Sequence, residues 1–105
     1  MSDTALPLRI SRSSDGLVVC GEVDSSSVAT LSSFLAPLPG ESGEVVVDMS
    51  DVAFMDSSGL RVLIDAHRRA EQSHRRLVII NPSWIVTRLI DISGLRDVLH
   101  VSERR

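Results

Sequence analysis

Two features of the sequence predict an α/β fold built on a mixed central sheet. Short runs of β-branched and other apolar residues, typical of strands, alternate with longer segments whose apolar residues recur at helical spacing. A pair of strands around a tight turn precedes this alternation, and strands that alternate with helices normally lie parallel in one sheet. We therefore expect about four to five strands in one mixed sheet, with helices packed on it.

The first two strands are predicted to form a hairpin. Residues 8–13 alternate apolar and polar side chains, and residues 17–23 form a second apolar run. Between them, residues 14–16 have the sequence Ser-Asp-Gly, which is common in turns. Asp24 follows as the candidate N-cap of a helix. The apolar residues of this helix recur at helical spacing, and two prolines and a glycine end it. Those apolar residues are Val28, Leu31, Leu35 and Leu38, and the residues that stop the helix are Pro37, Pro39 and Gly40.

The remaining elements follow the same alternation. Residues 44–49 contain three consecutive valines, which indicate a central strand buried on both faces. A helix is predicted from Ser57, with Asp65 and Arg69 paired four residues apart on its polar face. A buried strand at 77–80 leads to a helix that begins near Pro82 and ends near residues 93–94. Residues 98–101 are predicted to form a last short strand.

Composition indicates one globular domain in the cytoplasm. The chain has 105 residues, 43% hydrophobic and 24% charged. We expect a flexible N-terminus at 1–7, a domain at 8–102 and a flexible tail at 103–105. No apolar run approaches the roughly 20 residues of a membrane helix, and the N-terminus does not resemble a secretory signal, so no membrane insertion is expected. The single cysteine, Cys20, lies in an apolar run and predicts a buried thiol in a reducing compartment.

The charge distribution disfavours direct binding to nucleic acid. The net charge is −3 and aromatic residues make up only 3% of the chain, whereas nucleic-acid binders usually present basic surfaces and stacking aromatics. Several arginines do cluster, and we interpret them as a solvated helix face and tail. They are Arg68, Arg69, Arg75, Arg76, Arg104 and Arg105.

No arrangement typical of an enzyme is present, so we predict no catalytic residue. The nucleophile-elbow pattern G-x-S-x-G is absent around Ser57. His67 lies ten residues further along the predicted helix, about 15 Å away by helical rise, and His74 lies further still. The sequence does not constrain His100. One cysteine and three scattered histidines give no common ligand spacing, and no phosphate-binding loop occurs, so neither a metal nor a cofactor is expected.

The most informative stretch is Asp56-Ser57-Ser58-Gly59, which lies where a buried strand leads into a helix. In the simplest interpretation Asp56 or Ser57 caps the helix, which contributes about 1 kcal/mol. The alternative is a regulated phosphorylation site. A helix N-terminus tolerates an added phosphate, whereas a partner surface that accepts a neutral hydroxyl does not. Local chemistry leaves both interpretations open.

Three separated stretches resemble one family, the anti-sigma factor antagonists, which are small bacterial proteins made of a single STAS domain. They read GEVDSSSVATL (21–31), DMSDVAFMDSSGLRVLIDAHRRA (48–70) and VTRLIDISGLRDVLHV (86–101). The resemblance covers residues 8 to 101 in the same order and spacing. It implies a STAS-like fold and a role in sigma-factor regulation, as in a stress response.

The resemblance also implies partner switching. An unphosphorylated antagonist of this family binds an anti-sigma factor that is also a serine kinase, and thereby frees the sigma factor. The kinase, which holds the ATP, phosphorylates the serine after the motif aspartate and the complex dissociates; a phosphoserine phosphatase reverses the change. By position that serine is Ser57, with Ser58 as the alternative. The implied partner-binding residues are Asp24, Asp56, Ser57, Ser58, Gly59 and Arg61.

One departure from the family pattern concerns Arg61, which stands where family members often have glycine soon after the motif leucine. Its positive charge lies one helical turn from Ser57, where it can alter partner choice or steady a phosphate. The alternative function is that of a non-switching STAS subunit in another assembly, such as a lipid-transport complex or a stress-signalling scaffold. Retention of a serine after Asp56 favours the switching role.

Overall fold

The computed structural model describes residues 6–104, so most of the predicted flexible segment 1–7, and Arg105 of the predicted tail, lie outside the described residues. Five strands and three helices follow one another in this range. The strands are β1 (Arg9–Ser13), β2 (Gly16–Val23), β3 (Glu44–Met55), β4 (Arg76–Ile80) and β5 (His100–Ser102). The helices are α1 (Val28–Leu35), α2 (Ser57–Gln72) and α3 (Trp84–Ile92).

The five strands form one mixed sheet in the order β1-β2-β3-β4-β5. β1 and β2 are antiparallel, and the closest pair at their turn is Ser13 with Gly16, which confirms the predicted hairpin. The pairs β2–β3, β3–β4 and β4–β5 are parallel, and a helix connects each of them. The predicted α/β class and mixed sheet are therefore correct.

The hydrophobic core lies between the sheet and the helices. Its buried side chains come from β2, β3 and β4 on one side and from the apolar stripes of the three helices on the other. The helical stripes arise because residues three and four apart share one face. From the strands they include Leu17, Val19, Val45, Val47, Leu77 and Ile79, and from the helices Leu31, Leu35, Leu63, Ala70, Val86 and Ile90.

β3 is longer than predicted, since it ends at Met55 and not at residue 49. β4 pairs with β3 only as far as Asp48, while β2 follows it to Met55 with register shifts near Cys20 and Gly21. The terminal half of β3 therefore has a strand partner on one side only. This explains why Phe54 is 41% exposed although the sequence around it is apolar.

The ends of three elements differ from the prediction. Asp24 is not the N-cap of α1; that residue is Ser27, and Asp24 opens the preceding turn by accepting hydrogen bonds at its carbonyl oxygen. Leu38 lies beyond α1 and has a positive φ of 50°, since the helix ends before the first proline. Pro82 precedes the N-cap Ser83 of α3 and is not its first residue. The last strand begins at His100, two residues later than predicted.

Four of the clustered arginines make intramolecular contacts, and one of these is the contact of Arg76 with His100 at 3.1 Å. Arg75 donates to the carbonyl oxygens of Leu38, Pro39 and Ser42 at 2.7–2.9 Å. Arg69 donates to the Ala36 carbonyl and pairs with Asp65 at 3.7 Å, as the helical spacing predicted. Arg104 pairs with Glu44 at 3.0 Å. These arginines hold loops and the last strand in place.

Two further observations concern burial and membranes. Cys20, predicted to be buried, is only half-buried, because it alternates with the buried Val19 and Gly21 and so lies on the other face of β2. Within residues 6–104, no helix is both long and apolar enough to span a bilayer.

Candidate functional site

Two Asp-Ser-Ser sequences lie side by side at the carboxyl ends of β2 and β3. Val23 pairs with Met55 in the parallel register, so the residues that follow, Asp24 and Asp56, leave the sheet next to each other. The backbone N–H of Asp56 donates to the carbonyl oxygen of Val23 at 3.2 Å, which joins the two strand ends. The fold thus places both sequence-predicted carboxylates in one acidic patch.

Asp56 caps α2, as one of the two open interpretations predicted. Its backbone is extended, and its Oδ1 accepts a hydrogen bond from the backbone N–H of Ser58 at 2.9 Å. The Ser58 hydroxyl donates to the same oxygen at 2.5 Å. Aspartate is a preferred N-cap because it satisfies N–H groups that the helix leaves unpaired. This cap engages both the backbone and the side chain of Ser58.

Ser57 occupies the first helical position and is exposed. In the described part of the chain its hydroxyl makes no hydrogen bond, whereas that of the half-buried Ser58 is bound to Asp56. The two neighbouring serines therefore differ in chemical availability. An enzyme that approaches from solvent meets the Ser57 hydroxyl first.

Asp24 forms a turn with the same local geometry. Its Oδ1 accepts hydrogen bonds from the backbone N–H of Ser26 at 2.9 Å and from the Ser26 hydroxyl at 2.6 Å. The middle serine, Ser25, is exposed like Ser57, but it lies in a turn and not in the first turn of a helix. Sequence analysis missed the role of Ser26; the signal was an aspartate followed two residues later by a serine, which is typical of such turns.

The pKa values of both aspartates lie below the ordinary value for this side chain. Hydrogen bonds from Ser58, above all from its hydroxyl, lower the pKa of Asp56, while desolvation and the negative charge of Asp24 partly oppose this. For Asp24, hydrogen bonds from Ser26 are the main cause of the lowered pKa. Both carboxylates are therefore ionised at neutral pH, and the patch carries two negative charges.

Gly59 is buried where the start of α2 rests on the strand ends. A Cβ atom at this position would lie 2.7 Å from Cγ of Met55 and 2.8 Å from Cγ1 of Val23. Such distances are shorter than normal carbon–carbon contacts, so α2 can approach the sheet this closely only with glycine here. Gly59 thus allows the start of α2, which carries Ser57 and Ser58, to lie against the strand ends.

Arg61 and Phe54 border this patch. Arg61 is exposed and lies four residues after Ser57, on the same face of α2. Phe54 is exposed on β3, two residues before Asp56, and was not among the predicted site residues. Its exposure depends on where β4 ends, which the sequence does not reveal.

The histidines lie away from Ser57. His67 is buried in the second half of α2, and its ring is 5.5 Å from that of His100, centroid to centroid. Burial and the nearby positive charge of Arg76 lower the pKa of His100. Sequence spacing predicted no metal site, yet the fold brings His67, Glu71 and His100 together.

The chain that carries this geometry, with an exposed serine at a helix start beside two strand ends, matches a STAS-type domain. The family model described as "Mlab, STAS domain" matches residues 6–101. The anti-sigma-B factor antagonist of Staphylococcus epidermidis is 36% identical over 86 residues, which cover 81% of this chain and 80% of that protein. The anti-sigma-B factor antagonist of Bacillus subtilis is 31% identical, with coverage of 82% and 79%.

Solved structures share the fold. Unphosphorylated SpoIIAA, an anti-sigma factor antagonist, superposes with a TM-score of 0.69 at 23% identity and covers 94% of this chain and 89% of its own. The phosphorylated form of Bacillus SpoIIAA gives the same TM-score at 20% identity, with coverage of 94% and 92%. The chain belongs to the STAS domain family of anti-sigma factor antagonists.

Proposed function

We propose that this protein works in the cytoplasm as an anti-sigma factor antagonist that acts by partner switching and has no catalytic activity of its own. The unphosphorylated form binds an anti-sigma factor that is a serine kinase, and the sigma factor is released. The observation that carries this proposal is the difference between the two serines: the Ser57 hydroxyl is exposed and free, while that of Ser58 is bound to Asp56.

Phosphorylation of Ser57 would change the charge of the patch sharply. A phosphoserine adds roughly 1.5 to 2 negative charges at neutral pH. It would stand beside two ionised carboxylates, Asp56 and Asp24, whose lowered pKa values keep them charged. The positive end of the α2 dipole and the side chain of Arg61, four residues along the helix, offset part of this negative charge. The domain therefore stays folded, while a partner surface that fits the unmodified patch is repelled.

The partner surface in this proposal consists of the acidic turns and the start of α2. Its exposed and half-buried residues are Asp24, Asp56, Ser57, Ser58 and Arg61, while Gly59, which the sequence had placed among them, is buried beneath the start of α2. The kinase partner supplies ATP, so the antagonist needs no nucleotide site of its own. A phosphoserine phosphatase then removes the phosphate and restores binding, which makes the cycle reversible.

Similar proteins support this proposal. The Staphylococcus and Bacillus relatives are named anti-sigma-B factor antagonists, which implies that an anti-sigma factor is the partner class. SpoIIAA exists in phosphorylated and unphosphorylated forms. A role in a stress response through a sigma factor fits these relatives.

One observation favours a second candidate function. The matching family model bears the name Mlab and not that of an antagonist. The chain would then be a non-switching STAS subunit of another assembly, such as a lipid-transport complex or a stress-signalling scaffold. In that case the Ser57 hydroxyl would be exposed without being modified.

Phosphorylation by a cognate anti-sigma factor kinase distinguishes the two functions. Incubation with that kinase and ATP should add one phosphate, which peptide mass spectrometry locates on Ser57. Ser57→Ala should abolish labelling. Ser25→Ala is the matched control, because Ser25 follows Asp24 as Ser57 follows Asp56 and is also exposed. Labelling of Ser58, or of Ser25, would contradict the assignment, and no labelling by any candidate kinase would favour the second function.

A further inference from the structure

Two histidines and a glutamate that are distant in the sequence meet where the second half of α2 passes β5. His67 and Glu71 are one turn apart on the helix, and His100 is the first residue of the strand. One candidate ligand atom from each residue lies within 4.8 Å of the others. The cluster lies more than two helical turns from Ser57, so it is not part of the proposed phosphorylation site.

The unusual member of the cluster is His67. It is only 7% exposed, and its Nδ1 is buried with no hydrogen-bond partner among the described residues. Its Nε2 lies 3.8 Å from Oε2 of Glu71, which is too far for a hydrogen bond. Buried polar atoms in proteins nearly always have a partner. A buried imidazole with an unpartnered Nδ1, whose Nε2 lies near a carboxylate and which stands beside a second imidazole, has the composition of a metal ligand set.

We propose that His67, Glu71 and His100 form a binding site for a divalent transition-metal ion, best suited to Zn²⁺. Two imidazoles and one carboxylate are a donor set that zinc accepts with tetrahedral geometry. The three residues leave the fourth position to a water molecule or to a ligand from a partner. The bound ion would tie α2 to the edge strand β5.

The cluster needs only a small movement to reach coordination geometry. Tetrahedral zinc with bonds of about 2.0–2.2 Å holds its ligand atoms about 3.3 Å apart. The His67–Glu71 pair at 3.8 Å is already close to that spacing. The side chain of Glu71 is 59% exposed and His100 is partly exposed, so both can move without disturbing the core.

Arg76 competes with the metal ion for His100. Its Nη2 lies 3.1 Å from Nδ1 of His100. A guanidinium group can only donate, so it occupies a lone pair of the imidazole, and its positive charge also opposes a cation. Arg76 is exposed and can swing into solvent. Metal binding and the Arg76–His100 hydrogen bond therefore exclude each other.

Calorimetric titration of the full chain with Zn²⁺ at neutral pH tests the site. We expect one ion per chain with a micromolar or lower dissociation constant, and a higher unfolding temperature in its presence. Cobalt substitution should give the visible absorption of a tetrahedral ion without a thiolate charge-transfer band, which Cys20 as a ligand would produce. Absence of zinc binding at micromolar concentrations, or a thiolate band, would overturn the proposal.

Matched variants locate the ion. Glu71→Gln and His100→Ala change partly exposed residues and should each weaken zinc binding by at least about tenfold. Arg76→Ala should strengthen it. His74→Asn removes a histidine outside the cluster, keeps a residue that tolerates the positive φ of 58° at this position, and should change nothing. Unchanged affinity in Glu71→Gln and His100→Ala would refute the site. Ser57→Ala should bind zinc normally, so this proposal and the phosphorylation switch can fail independently.

Discussion

At the scale of single residues, the cap residue Asp56 combines a structural and an electrostatic role. Its Oδ1 accepts hydrogen bonds from the backbone N–H and from the hydroxyl of Ser58 in the first turn of α2. It also contributes one of the two negative charges of the patch. These roles can be separated, because asparagine caps helices about as well as aspartate but carries no charge.

Asp56→Ala should destabilise the protein by about 1 kcal/mol, and Asp56→Asn should cost much less, as denaturant unfolding at pH 7 would show. The two differ in pH dependence. Because the folded pKa of Asp56 is lowered, its ionised form stabilises the fold above the unfolded pKa of 3.8, and this stabilisation is lost as pH falls through the folded pKa. Asp56→Asn should therefore lose less stability than wild type on acidification. An equal loss would contradict the cap geometry.

Gly59→Ala tests the close approach of α2 to the strand ends. The new methyl group would clash with the side chains of Met55 and Val23, so we expect a loss of about 1–3 kcal/mol in the free energy of unfolding. Gly43→Ala is the control, since a Cβ there meets nothing within 4 Å and should change stability by less than about 0.5 kcal/mol. Equal effects of the two substitutions would refute the packing argument.

At the scale of elements, Arg75 fixes the segment that leads from α1 into β3. Its guanidinium donates to three carbonyl oxygens, those of Leu38, Pro39 and Ser42. Hydrogen bonds from charged groups are stronger than neutral ones, and a planar fork can serve several acceptors at once. A lysine, with one nitrogen, cannot replace all three contacts.

Arg75→Ala should therefore lower the free energy of unfolding by about 1–3 kcal/mol, and Arg75→Lys should recover only part of it. Arg68→Ala provides the comparison, because Arg68 is exposed on α2 and makes no side-chain hydrogen bond or ion pair in the described part of the chain. Denaturant unfolding of the three variants measures the difference. If Arg75→Ala were as stable as Arg68→Ala, the carbonyl contacts would not contribute to stability.

The elements also illustrate what the sequence could predict. Apolar periodicity identified all the strands and helices, because α2 and the valine run of β3 bury their side chains in regular patterns. It did not predict that β3 extends to Met55, since the polar residues Asp48, Ser50 and Asp51 interrupt the apolar pattern where the sheet register shifts. The cap of α1 was placed on Asp24, because an aspartate that opens a turn resembles an N-cap in sequence.

At the scale of the whole molecule, contacts between elements distant in the sequence determine which site residues become neighbours. Local sequence patterns do not reveal these contacts. The neighbourhood of Asp24 and Asp56 follows from the parallel register of β2 and β3, which joins residues 32 positions apart. The cluster of His67, Glu71 and His100 depends in the same way on the position of β5 against α2. The spacing of residues along the sequence indicates neither that a second Asp-Ser-Ser turn lies at the site nor that the three residues form a candidate metal site.

The same scale bears on the switch that we propose at Ser57. The patch stands at the end of the sheet, where Gly59 packs on Val23 and Met55, and such close packing leaves little room for rearrangement around an added charge. In the proposed switch, the added negative charge therefore acts on the partner surface that contacts Ser57. A switch of this kind alters binding while the fold is retained.

The dissociation constant for the cognate anti-sigma factor kinase tests the central claim most directly. Calorimetry should be carried out with the unmodified protein, its Ser57-phosphorylated form, Ser57→Ala, Ser57→Glu and the control Ser25→Glu. We predict tight binding by the unmodified protein and Ser57→Ala, at least roughly tenfold weaker binding by the phosphorylated form and Ser57→Glu, and a smaller effect of Ser25→Glu. Equal affinity of the phosphorylated and unmodified proteins would contradict the switch.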